Sequence, residues 1–190
     1  MRRIILLLII VFNLTPEHLY AQEDIKINGF FLDGNTSVGF ARSITATTGI
    51  TTRYGNVNSG IRLGNKFFVK EGQNYSFGMN VHWITTSFTY DFFSDLVVSP
   101  LSVGLSNVWL NKGVIHELNL NGGASFFIEE PIYNDGLGLG FLINPEFIRR
   151  KGRFRFGLGY QFTFYDVNNS ASFIQRKNHE IVFTFGLHQK

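Results

Sequence analysis

The chain has 190 residues, no cysteine, 16% charged residues, 16% aromatic residues, 20 glycines and a formal net charge of +3. A disordered chain lacks this much aromatic surface, and a disulfide scaffold or thiolate metal site needs cysteines. A polytopic helical membrane protein needs several apolar runs of about 20 residues, so the composition points to one domain of ordinary length with unusually little charge.

The N-terminus reads as an export signal, residues 1–21. Arg2 and Arg3 give a basic start, Ile4 to Phe12 is an unbroken apolar run, and Leu19-Tyr20-Ala21 ends on a small residue. That order matches a cleavable secretory signal, and the run is too short to span a bilayer. Cleavage removes Arg2, Arg3 and Glu17, so the mature charge is 15 − 13 = +2. The basic residues are scattered, which argues against a nucleic-acid partner. Residues 22–35 are expected to be an N-terminal extension or the early start of a first strand, ahead of a domain over 36–190.

From residue 37 onward the sequence alternates with period two, the signature of strands whose side chains leave opposite faces in turn. Val38, Phe40 and Ile44 oppose Ser37, Gly39, Ala41 and Ser43, over a window of 37–50. Ile61, Leu63, Phe67 and Val69 oppose Arg62, Gly64 and Lys66. Tyr75, Phe77, Met79, Val81 and Trp83 oppose Ser76, Gly78, Asn80 and His82. Leu101, Val103, Leu105 and Trp109 oppose Ser102, Gly104 and Ser106. Leu118, Leu120, Ala124, Phe126 and Ile128 oppose Glu117, Asn119, Asn121, Gly123 and Ser125. Leu137, Leu139, Phe141 and Ile143 oppose Gly136, Gly138 and Gly140. Phe154, Phe156, Leu158, Tyr160, Phe162 and Phe164 oppose Arg153, Arg155, Gly157, Gly159, Gln161 and Thr163. Ile181, Phe183, Phe185 and Leu187 oppose Glu180, Thr184, Gly186 and His188. This predicts eight strands. Tight turns are expected at 70–74, 111–113 and 150–152, and longer polar links at 51–58, 84–98, 129–135 and 166–179. Short and long links alternate, as in an up-and-down barrel with turns at one end and loops at the other.

The composition of the two faces decides which one lies inside. The apolar face is too bulky, with its many phenylalanines, for an eight-stranded interior, which is only just wide enough for ordinary side chains. The opposite face is Gly, Ser, Thr and Asn, carrying less charge than a water-facing surface. With the small polar face inward and the aromatic face in lipid, both facts are explained. The run from Phe154 to Phe164 covers about 33 Å along the strand and, tilted by about 40°, about 25 Å along the membrane normal. Tyr75 and Trp83 are candidates for the two aromatic girdles. A secreted soluble barrel carrying an apolar ligand is the alternative with the faces reversed.

Over about residues 36–190 this pattern resembles the small eight-stranded outer-membrane β-barrel proteins of Gram-negative bacteria. The resemblance implies an all-β, eight-stranded antiparallel up-and-down transmembrane barrel in the cell outer membrane. It also implies contact with outer-membrane lipid and lipopolysaccharide, and recognition by the barrel-assembly machinery. Family members usually end in an aromatic residue, whereas this chain ends Leu187-His188-Gln189-Lys190.

No catalytic, cofactor-binding or metal-ligating residue is assigned, and no enzymatic activity or cofactor is expected. The mature histidines are His82, His116, His179 and His188, of which His82 and His188 are expected to point into the lumen. None sits in a metal-ligand spacing. Some barrels of this group are lipid A acyl-modifying enzymes with a His and a Ser two residues apart. Here those positions after His82 and His116 hold Ile84 and Leu118, leaving His82, Ser87 and Asp91 as a loose substitute. Glu117, Glu180, Arg62, Arg153 and Arg155 fall on lumen faces and are expected to pair, because buried charges must. Arg149-Arg150-Lys151 with Arg153 reads as a solvated turn, with a lipid-phosphate contact as the sharper alternative. Gly136 to Gly140 reads as a strand rather than a nucleotide loop. Phe88 to Val98 is too apolar for an ordinary loop and is expected either to extend strands toward a protein partner or to fold over the barrel mouth.

Overall fold

The structure is a computed structural model and describes residues 29–45, 47–70, 75–89, 96–128, 137–168 and 173–189. The expected export signal over 1–21 and residues 22–28 lie outside them. Eight strands follow in order: β1 (Gly29–Thr45), β2 (Thr51–Lys70), β3 (Tyr75–Thr89), β4 (Leu96–Asn111), β5 (Val114–Ile128), β6 (Leu137–Lys151), β7 (Phe154–Asn168) and β8 (Phe173–Gln189). Each pairs antiparallel with its sequence neighbour, and β8 returns to β1, so the sheet closes. Closure leaves no strand edge exposed, which a barrel in lipid requires because an unpaired backbone N–H or C=O has no water to bond.

The strand registers fix the barrel's shape. Phe31 pairs with Gly64, and the chain of partners runs through His82, Ser102, Gly123, Leu142, Thr163 and Asn178 back to β1 at Ala41. The offset, 41 − 31 = 10 residues, is the shear. With about 3.3 Å per residue and about 4.8 Å between strands, it sets a strand tilt of about 40°.

The faces fall as the alternation predicts. Phe40, Leu120, Leu139, Phe154 and Phe185 are among the exposed apolar side chains, whereas Asn80, Ser106, Glu117, Asn119 and Ser125 are buried inside. The soluble-barrel alternative needs the reverse and is overturned. Two short turns show why those residues reverse the chain there. Lys112 and Gly113 both have positive φ (48° and 74°), as a type I′ hairpin requires. Gly152 (φ 58°) supplies the first central position between Lys151 and Phe154.

The strands are longer than the alternation indicates. Strand β1 starts at Gly29, so residues 29–35 belong to the barrel, and it ends at Thr45 rather than near 50. Segments 51–58, 84–89, 96–98, 166–168 and 173–179, expected as links, are strand. On the adjoining strands β1, β2 and β8, Arg42, Arg53 and Lys177 take outward positions near the loop end, so alternation of hydrophobicity weakens there while pairing continues. The link at 129–135 lies outside the described residues. Strand β3 carries a bulge that breaks its alternation: His82 pairs with Gly64 and Ile84 with Leu63, leaving Trp83 extra. Trp83 therefore sits near mid-height, its indole donating to Asn65 Oδ1 (2.8 Å), and not in the loop-side girdle. Tyr75 is at the turn end, where it pairs with Trp109.

Candidate functional site

Alternation sends one charged or polar residue inward every second position, and the tilt brings distant strands to a common level. At the turn end of the lumen this gathers Lys66 of β2, Glu117 of β5, Arg150 of β6 and Arg155 of β7. Glu117, fully buried, accepts a hydrogen bond from the Lys66 ammonium. Arg155 Nη2 lies 3.5 Å and Arg150 Nη1 3.9 Å from the same carboxylate. Arg155 also donates to both oxygens of Asp33 on β1 (2.9 and 3.1 Å), and its guanidinium lies 4.5 Å over the Phe31 ring. The approach is close: a Cβ on Gly186 would stand 2.0 Å from Asp33 Oδ1. Above this lies a second pair. Arg62 of β2 reaches across to both oxygens of Glu146 on β6 (3.2 and 3.1 Å), which also accepts from the Thr184 hydroxyl on β8.

Higher again, Glu180 is held without a cation among the described residues. Its oxygens accept from Ser37 Oγ (2.8 Å), Asn56 Nδ2 (3.0 Å) and Asn58 Nδ2 (2.7 Å). The loop-side mouth is apolar: Val97, Phe127, Tyr165 and Val167 form one buried cluster. Arg176 covers it, 4.7 Å over the Phe127 ring and donating to Ser43 Oγ at 3.2 Å. Ionic layers below and an apolar layer above thus fill the interior, as burial of charge demands.

Of the lumen charges expected, Arg62, Glu117, Arg155 and Glu180 are inside and all but Glu180 are ion-paired. Arg153 is not; it is exposed in the Gly152 turn. Arg150, placed by sequence in a solvated basic turn, is buried in the lumen instead. Both corrections have one cause. The turn comprises Gly152 and Arg153 rather than 150–152, so Arg150 remains in β6 at an inward position. Asp33 and Glu146 were not singled out, because neither lies in an alternating window that shows its face: Asp33 precedes the first and Glu146 follows Pro145.

The two histidines expected in the lumen lie there. His82 and His188 are buried in the lumen, and the His82 ring packs edge-on against Phe31 at 5.3 Å. His116 stacks outside between Trp109 and Phe147, and His179 outside against Phe40. Ser87 faces the lumen, and Asp91 lies outside the described residues. Gly138 and Gly140 are in β6, as the strand reading requires. Within 88–98, Phe88 and Leu96 to Val98 are paired strand ends, with Val97 turned into the mouth. Among the described residues no group of three or more His, Asp and Glu side chains is placed to hold a metal.

No family model and no curated protein matches the sequence. Solved structures with a similar barrel include Neisserial surface protein A (12% identity, 82% of this chain and 96% of that one, TM-score 0.40). OprG from Pseudomonas aeruginosa is another (10% identity, 90% and 99%, TM-score 0.45). A third is Ail, the attachment invasion locus protein of Yersinia pestis (12% identity, 83% and 99%, TM-score 0.33). The features of the small outer-membrane barrels stand in this chain's own geometry: eight antiparallel strands, full closure, an apolar outer wall and a polar interior.

Proposed function

We propose that this chain is a sealed integral barrel of the outer membrane that works through its outer wall and loop-side rim, not through a pore or a catalytic centre. The observation that carries the reading is the lumen network. Lys66, Glu117, Arg150, Arg155 and Asp33 tie five strands together across the axis. Interiors of this strand number are filled by side chains rather than open. Export through the signal at 1–21 and insertion by the barrel-assembly machinery belong to the same reading, with lipid and lipopolysaccharide as surroundings. Segment 88–98 is the candidate contact for a protein partner; of its described residues, Phe88 is exposed on the outer side near the rim. The test is conductance. Purified mature barrel in planar bilayers is expected to give no stable open level, and a large persistent channel in most insertions would overturn the reading.

The reading is also non-enzymatic. His82, the candidate base for acyl chemistry, is 5% exposed inside the lumen, while acyl chains would lie against the outer wall. Incubation with the barrel should leave the mass of lipid A unchanged. Loss of an acyl chain, abolished by His82→Ala, would show the opposite.

A further inference from the structure

Three cations stand side by side on the outer wall near the loop-side rim. Arg42 of β1 is the direct cross-strand partner of Arg53 on β2 and of Lys177 on β8. Their neighbours Ala41 and Arg176 are buried inside, so Arg42 and Lys177 face outward. Like charges directly opposite on one sheet face repel. Among the described residues no carboxylate forms an ion pair with any of the three. The outward carboxylate of Asp166 on β7 accepts from Gln175 (3.3 Å) instead. Lys177 rests over the Phe164 ring at 5.6 Å, and its charge has no opposite partner there.

A groove of about 630 Å³ opens beneath this row, with the three cations along one side. Its other lining residues include Phe40, Gly55 and His179, which are the next cross-strand row down. Phe40 is 55% exposed and stacks on His179 at 5.0 Å, and Phe162 packs on the other side of that imidazole, also at 5.0 Å. Gly55 keeps the groove open. A Cβ there would meet only Gly39 O, at 3.9 Å. One wall is therefore cationic and the other aromatic. In an outer-membrane barrel the long-loop end faces outward, so the groove stands where headgroup meets acyl chain in the outer leaflet.

We propose that this groove binds the phosphorylated headgroup of lipopolysaccharide. The lipid A phosphates would lie on Arg42, Arg53 and Lys177, and the proximal acyl chains against Phe40, Phe162 and Phe164. Guanidinium groups match phosphate with paired N–H donors, and the anion relieves the repulsion within the row. The amphiphile needs both walls, and its phosphates supply the charge that the protein leaves unmatched. The inference rests on the outer-membrane reading.

The experiment is a titration of the detergent-solubilised mature barrel with bisphosphorylated lipid A, dephosphorylated lipid A and phosphatidylglycerol. Bisphosphorylated lipid A is expected to bind at least about tenfold more tightly than either other lipid. The combined Arg42→Gln, Arg53→Gln and Lys177→Gln variant should lose at least about tenfold in affinity. Gly55→Trp, which fills the groove and keeps the charges, should weaken binding too. Equal affinity of wild type for the phosphorylated and dephosphorylated forms overturns the proposal, as does equal affinity for phosphatidylglycerol. Wild-type affinity in the triple variant overturns it as well. Should the triple variant fail to fold, Gly55→Trp and the dephosphorylated lipid still decide. Recovery of wild type outside the outer membrane would sink the proposed function itself. Correct fractionation with unselective binding would sink only this inference.

Discussion

Replacing Glu117 with Gln is the sharpest test of the lumen network. The carboxylate is fully buried, takes a hydrogen bond from Lys66, and lies 3.5 Å from Arg155 and 3.9 Å from Arg150. The amide keeps the shape and removes the charge. Three cations then face one another across the lost charge, and Arg155 retains its pair with Asp33. At an effective dielectric of about 20, one such contact near 3.5–4 Å carries roughly 4–5 kcal/mol of gross attraction, most of it offset by desolvation. Measured losses on breaking a buried pair run about 3–5 kcal/mol. That is a large share of a total stability of about 5–15 kcal/mol. Urea unfolding of the barrel in lipid vesicles, followed by the fluorescence of Trp83 and Trp109, should register a loss of about 3–5 kcal/mol. Adding Lys66→Met should return part of it, because the second substitution removes one uncompensated cation. A Glu117→Gln barrel within about 0.5 kcal/mol of wild type would refute the view that this carboxylate organises the interior.

Other substitutions probe other parts of the account. Leu120→Arg, at mid-height on the outer face, should cost about 2–4 kcal/mol in vesicles. Leu137→Arg at the loop end should cost about 0–1, and equal effects measured by urea unfolding would contradict the depth assignment. Gly186→Ala places a methyl 2.0 Å from Asp33 Oδ1 and must displace the Asp33–Arg155 pair. It should lower stability by about 1–3 kcal/mol, and Asp33→Asn on that background should lose less than it does alone. Trp109→Ala removes the ring stacked at 5.7 Å on His116 in the turn-side girdle. A loss of about 0.5–1.5 kcal/mol beyond lost area is expected, whereas Trp83→Phe, whose ring stays in lipid, should cost only the indole hydrogen bond to Asn65, about 1 kcal/mol.

The membrane-crossing part of each strand was legible because two solvents sort its side chains. Lipid selects Phe154 to Phe164 on one side, and a narrow interior selects Gly157, Gly159 and Thr163 on the other. The segments beyond lipid were not legible. There Arg42, Arg53 and Lys177 face outward while Ser43, Tyr54 and Arg176 face inward, so polarity no longer distinguishes the faces and only backbone pairing marks the strand. The sites were legible only one strand at a time. Alternation placed Glu117 and Arg155 inside, but their meeting depends on the shear, which no local window contains. Placing the turn at 152–153 instead of 150–152 exchanges the fates of Arg150 and Arg153. The basic cluster visible in sequence was therefore misleading. The cationic row on the outer wall is assembled from positions 42, 53 and 177, far apart in the chain, and only the register joins them.

The central claim is that the aromatic face meets lipid, and quenching by brominated lipids tests it most directly. Trp83 points outward, 50% exposed, near the middle of the wall, while Trp109 stacks on His116 at the turn end. Single-tryptophan variants, Trp109→Phe and Trp83→Phe, can be refolded into vesicles whose acyl chains carry bromine at different depths. Trp83 is expected to be quenched most by bromines near the bilayer centre and Trp109 most by those near the headgroups. Tryptophans that ignore bromine at every depth, in a chain recovered free in the aqueous phase, would contradict the account.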